Sequence, residues 1–305
     1  MNYDDIILKA VRKYNYSEEV VSLLKRIVPA IIKYYGEDRK DYVLNALLNY
    51  EIHIEGKDEN RKEYLNSFFG TNEEWEMPIT AGAFVHKGIK KEGDKILSKS
   101  INYIRTKYSQ DYKEPDFSSS KIISDIVHEL CHAVKTSDNI EKNGDDILIR
   151  SGVSKEIYHY DGESFSQTGD QYLGLEEGLN SLEEAEIMSI ILGEEQEYGA
   201  YKTLTTAARR LLEDEKLAYL LRRCQFEGDY EWIDYLGEDA KLVIDCFDAM
   251  YNANYSPSAE VRQKYDEAID IFLDFLQNRE KKNNLDEMLE SSHESVENEK
   301  HIGGY

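Results

Sequence analysis

Ile123-Ser124-Asp125-Ile126-Val127-His128-Glu129-Leu130-Cys131-His132-Ala133-Val134 decides how the rest of this chain is read. Ile123, Ile126, Val127, Leu130 and Val134 follow the i, i+3, i+4, i+7 spacing of a buried helix face. Ser118, Ser119 and Ser120 offer N-caps ahead of it. The stretch also carries the pattern H-E-x-x-H. On a helix His128 and His132 stack on one face, one turn apart. Two imidazoles held that way can bind one Zn²⁺. Glu129, rotated by about 100° from His128, can reach a water at an open metal position and act as general base. The competing reading is a core helix whose histidines are hydrogen-bonded to backbone or carboxylate groups.

Bulk properties narrow the classes. The chain has 305 residues, 41% apolar and 11% aromatic, enough for a core of one large or two small domains. Net charge is −24, from 61 acidic against 37 basic residues. That excess argues against nucleic acid or an anionic membrane as a partner and for solubility. Three cysteines without close spacing do not make a disulfide framework; buried free thiols in a reducing compartment are expected. The segment Met1 to Asp5 is acidic and lacks the apolar core of a signal peptide, and no apolar run is long enough for a membrane span. Cytoplasmic placement is expected, with leaderless export as the alternative.

Working outward, residues 1 to about 70 read as helical. Ser17 can cap a helix with Val20, Leu23, Leu24, Ile27, Val28, Ile31 and Ile32 on its apolar face, a kink at Pro29 and an end at Gly36. Helices are expected over Asp38–Leu48 and Asp58–Phe69, with a short strand at Tyr50–Ile54 between them. Strands follow at Ile79–Val85 and Lys95–Tyr103, joined by a turn at Gly93-Asp94. After the motif, Asp146–Ser151 and Lys155–Tyr160 pattern as strands around Gly152, and Asp161–Gly174 as a polar loop or lid. Helix returns at Leu175 and dominates to residue 278, including Tyr198–Leu212, Asp239–Ala253 and Ser258–Leu276. The polar stretch from Glu280 onward is expected to be disordered.

A catalytic zinc takes three protein ligands and keeps one open position. The downstream candidates are His159 and the cluster Glu176, Glu177, Glu183, Glu184 and Glu186. A carboxylate in the first turn of a helix packed on the motif helix can reach the metal from the side, and Gly178 allows close approach. The acidic residues can also be read as a solvated helix face. His159 lies in an alternating, strand-like segment; it reads as an ordinary strand residue, a transition-state donor or a third ligand. Tyr158, Tyr160 and Tyr172 are further donor candidates. His53, His86, His293 and His301 have no ligand spacing.

H-E-x-x-H followed by a helix opening Glu177-Gly178-Leu179-Asn180 resembles the gluzincin group of zincin metallopeptidases, over about residues 119 to 192. The resemblance implies His128, His132 and Glu177 as ligands of one Zn²⁺ per chain, with Glu176 as the fallback and Glu129 as the base. Four residues after Glu177, where thermolysin-like enzymes carry an aspartate that orients a ligand, stands Ser181. The implied fold is α+β: a zincin-like catalytic core with a small mixed sheet packed on the motif helix, flanked by N- and C-terminal helices. The expected regions are 1–75 (helical), 76–195 (core), 196–279 (helical) and 280–305 (tail). The implied activity is hydrolysis of peptide bonds in a peptide or protein substrate. The substrate would pair with a sheet edge supplied by the strands at 79–85 or 95–103. A catalytically silent binding or regulatory protein of the same fold is the alternative. A deformylase-like thiolate site using Cys224 or Cys246 is a third.

Overall fold

Ser17, Ser119 and Asp214 each start a helix in the same way. Their side-chain oxygens accept from the backbone N–H of Val20 (3.4 Å), Lys121 (3.2 Å) and Leu217 (3.0 Å), donors that the first helical turn would otherwise leave unmet. The computed structural model describes residues 2–56, 59–70, 83–92, 95–104, 117–254 and 258–279. The chain is α+β, and it divides into two units, Met1–Tyr235 and Leu236–Tyr305.

The first unit opens with α1 (Tyr3–Tyr14), α2 (Glu18–Tyr35) and α3 (Lys40–Asn49), then β1 (Tyr50–Ile54) and α4 (Arg61–Phe69). α2 continues through Pro29 as one helix and ends at Gly36, the end that the sequence offers. α4 begins at Arg61; Asp58 lies outside the described residues. β2 (Ala83–Glu92) and β3 (Lys95–Ile104) complete a mixed sheet of order β1-β3-β2, β1 parallel and β2 antiparallel to β3. Of the strand expected at 79–85 only 83–85 is described, and the Gly93-Asp94 turn lies outside the described residues.

α5 (Ser120–Lys135) is the motif helix. Its apolar face shares one core with α1, α2 and α3, where Ile123, Val127 and Leu130 meet Ile27, Ile31 and Leu47. The N-terminal helices are thus built onto the motif helix itself. β2 and β3 also pack on α5. α5 runs directly into an antiparallel meander, β4 (Thr136–Asn143), β5 (Asp146–Ser151), β6 (Ser154–Tyr160) and β7 (Phe165–Gln171). β7 corrects the expected lid over 161–174. It is an edge strand with both faces largely exposed, so its sequence lacks the apolar alternation that marks a half-buried strand. α6 (Leu173–Leu192) follows at once and packs on α5. α7 (Lys202–Leu211), α8 (Glu215–Glu227) and α9 (Glu231–Leu236) come next.

In the second unit α10 (Asp239–Ala253) packs on α11 (259–279), with Phe247 edge-on to Phe272 at 5.5 Å between ring centroids. The expected tail over 280–305 lies outside the described residues. No helix among the described residues is long and apolar enough to cross a membrane.

Candidate metal centre

α5 presents His128 and His132 to α6, and α6 answers with carboxylates. His128 Nε2 stands 3.4 Å from Glu177 Oε2, and His132 Nε2 stands 3.5 Å from Glu177 Oε1. Ligand atoms of the three residues all lie within 4.8 Å of one another. Atoms bound to one tetrahedral zinc, each at about 2.0–2.1 Å, are separated by about 3.3–3.4 Å. Glu177 Oε2 is buried and has no hydrogen-bond partner among the described residues. A buried carboxylate oxygen left this way is costly unless a cation or proton meets it. Charge points the same way: among the described residues, Glu176, Glu177, Glu183 and Glu184 gather at this seam around two lysine or arginine side chains, Lys135 and Arg222, besides the two histidines. A divalent cation between His128, His132 and Glu177 would restore the balance, so the residues present fit one.

The far side of each imidazole is held by a further carboxylate. His128 Nδ1 is 3.0 Å from Glu184 Oε2, and His132 Nδ1 is 3.5 Å from Glu176 Oε1. A carboxylate only accepts, so the hydrogen bond at His128 keeps the proton of a neutral ring on Nδ1 and turns its Nε2 lone pair toward Glu177, while Glu176 stands at ion-pair distance behind His132. Both orienting groups are themselves fixed by backbone. Val153 N donates to Glu176 Oε2 and Ala200 N to Glu184 Oε2, each at 2.8 Å. Ser124 Oγ also donates to Glu184. Each of those N–H groups follows a glycine with no room for a side chain. A Cβ on Gly152 would lie 2.0 Å from Glu176 Oε2, and one on Gly199 would lie 2.0 Å from the Ser181 carbonyl oxygen.

Without a cation the site is held by protons. Burial pulls the His128 pKa down, but Glu177 and Glu184 outweigh it and raise it well above the usual imidazole range. His132 is raised in the same way, burial being outweighed by Glu177 and Glu176. Burial favours the neutral acid at Glu177, yet the facing imidazoles hold its carboxyl far below the usual range. Glu129 is different: burial pushes it up to about 7 against the pull of His128 and His132. A carboxyl group with that value can both take and return a proton near neutrality.

Of the expected site residues, His128, Glu129, His132 and Glu177 are brought together. His159 is not in the cluster. It lies near the far end of β6, roughly 17 Å along the strand from Ser154 at the ordinary rise. There its Nδ1 pairs with Asp146 across the sheet at 2.7 Å, with 47% of the side chain exposed. Tyr158 is buried and donates to Glu156, and Tyr160 donates to the Gly162 carbonyl. Tyr172 precedes α6 in a left-handed conformation (φ 63°), with its ring against Tyr230 and Trp232. Cys131, Cys224 and Cys246 are free and buried, and none belongs to the cluster. His53 pairs with Glu59. The side chain of His86, in β2, and all of His293 and His301 lie outside the described residues.

The acidic run on α6 is not a solvated face. Glu176, Glu183 and Glu184 are 1%, 4% and 3% exposed, and of the expected acidic face only Glu186 points outward. Glu176 and Glu184, and not position 181, stand beside the two Nδ1 atoms. The signal for Glu184 was its spacing, two helical turns after Glu177 and therefore on the same face. Lys135, Asn180 and Tyr201 carried no such signal. Tyr201 sits with its ring edge-on to His128, centroids 6.1 Å apart.

No protein-family model, curated protein or solved structure matches this chain.

Proposed function

We propose that this chain is a zinc-dependent metallopeptidase with a zincin-like core that hydrolyses peptide bonds in a peptide or protein substrate. One observation carries the reading: two Nε2 atoms converge on one carboxylate whose buried oxygen has no other partner, with each imidazole oriented from behind. His128, His132 and Glu177 would hold the ion, which when bound polarises a carbonyl and lowers the pKa of water. Glu129 accepts a proton from the attacking water and returns it to the leaving amine. Glu184 keeps the His128 imidazole in the ligating tautomer, and Glu176 stands behind His132.

Among the described residues β2 is one of the two edges of its sheet and packs on α5, a position from which it would take an extended substrate by strand pairing. β3, over 95–104, is the central strand and has no free edge to offer. Metal analysis and peptide hydrolysis together test the proposal. Wild-type protein is expected to hold one zinc per chain and Glu177→Ala none. Glu129→Gln is expected to keep zinc while losing about 10²–10⁴-fold in turnover, the usual weight of a general base. Undiminished turnover in Glu129→Gln sinks the mechanism. Zinc without any turnover in the wild type turns the reading into a binding protein of the same fold.

A further inference from the structure

Lys135, the last residue of α5, is a cation with no exposed side-chain surface, and hydrolysis at Glu129 makes no use of it. Within 3.0 Å of its Nζ stand three acceptors on α6: Glu183 Oε2 at 2.6 Å, Glu176 Oε1 at 2.8 Å and Asn180 Oδ1 at 3.0 Å. Positions 176, 180 and 183 form one stripe of that helix. Nζ donates hydrogen bonds to Glu183 and Asn180, and its contact with Glu176 is an ion pair. Two of the partners lead straight to the metal ligands. Glu176 stands behind His132 Nδ1 at 3.5 Å, and Asn180 Nδ2 donates to the His128 carbonyl at 3.0 Å. The third leads away from them. Glu183 accepts from Tyr35 of α2 at 2.7 Å and Gln225 of α8 at 3.0 Å.

We infer that Lys135 is a positioning residue for the metal ligands: it sets the register of α6 on α5 so that Glu177 falls between the two imidazoles. Sliding α6 by one residue would turn its stripe by about 100° and move it by about 1.5 Å. All three acceptors would then leave Nζ, and the orienting carboxylate would leave His132. The inference rests on reading His128, His132 and Glu177 as metal ligands, and it has a sign that simple charge does not share. A fixed positive charge beside a cation site repels the cation, so by charge alone its removal tightens metal binding. By the positioning role its removal weakens binding.

The test uses the full chain. Zn²⁺ affinity is measured by competition with a chelator, and the visible spectrum of the Co²⁺-loaded protein reports the coordination geometry. Lys135→Met is expected to weaken Zn²⁺ binding by about ten-fold or more, the range seen when orienting groups are lost, and to change the Co²⁺ spectrum. Tyr16→Phe removes a hydrogen bond outside the stripe, the one that Ile52 N donates to the Tyr16 hydroxyl at 2.9 Å. It is expected to lower the melting temperature while leaving affinity and spectrum as in the wild type. Should Lys135→Met fail to fold, Asn180→Ala removes one acceptor and leaves every charge in place, and it is read the same way. Unchanged or tighter binding in Lys135→Met (or, in its place, Asn180→Ala), or an equal loss in Tyr16→Phe, overturns the inference. Wild-type protein that binds neither metal overturns the metal reading itself.

Discussion

Around His53, histidine, carboxylate and tyrosine meet much as they do on the α5–α6 seam, but the oxygens are used differently. Glu59 Oε1 accepts from Tyr103 and Oε2 from Gly56 N, and His53 Nε2 lies within 3.0 Å of both. Arg61 meets Glu55 at 2.7 Å. The His53 ring is stacked on Tyr64 at 3.9 Å, so one face of it is packed away. On the seam, by contrast, two rings aim nitrogens at Glu177 and one of its oxygens has no hydrogen bond. A carboxylate with both oxygens hydrogen-bonded, as Glu59 is, holds a fold together; one that faces two imidazole nitrogens and keeps an unmet oxygen could hold a cation. The histidine–carboxylate pair by itself does not separate the two cases.

The contrast breaks most sharply if Glu184 is removed. Glu184→Ala frees His128 Nδ1, and zinc affinity is expected to fall about 10–100-fold by chelator competition. Wild-type affinity in that variant would place Glu184 with the structural pairs. Gly152→Ala comes next. Its φ of +62° already disfavours a side chain, and the new Cβ would meet Glu176. About 1–2 kcal/mol of backbone strain is expected in denaturant unfolding, with several-fold weaker zinc binding as Glu176 shifts from His132.

Glu59→Gln examines the other cluster. Burial there favours the neutral acid, but His53 and Tyr103 outweigh it and lower the Glu59 pKa. A depressed carboxyl contributes stability above its unfolded value of about 4.5 and loses it as pH falls through the folded value. Glu59→Gln is therefore expected to flatten the acid limb of the stability profile below about pH 4.5 and leave zinc affinity untouched. The smallest effect is expected at His159. His159→Ala should change stability by less than about 0.5 kcal/mol, as exposed sites do, and leave hydrolysis at the wild-type rate. A ten-fold loss of turnover there would return His159 to the site.

Much of the fold was legible because its signals are local. Ser17 and Gly36 bound α2, Tyr50–Ile54 is β1, and the apolar face of α5 packs as its spacing predicts. β7 was not legible, because an exposed edge strand needs no apolar face. The alternative reading of the acidic run on α6 as a solvated face fails for a related reason. Sequence rules assume that charge seeks water, and here Glu176, Glu183 and Glu184 are kept from water by Lys135, Val153 N, Gln225 and Ala200 N, contributed by other elements.

By itself the sequence determined which side chains could share a helix face: His128 with His132, and Glu177 with Glu184. Those placements follow from the period of one helix and need no second element. Tertiary structure decided which faces meet, and so made one carboxylate a ligand candidate, put Glu176 and Glu184 behind the two imidazoles and paired Lys135 with Glu176 and Glu183. The physical reason is that an orphaned oxygen, a buried charge or an occupied Nδ1 is a relation between elements, and no single helix contains it.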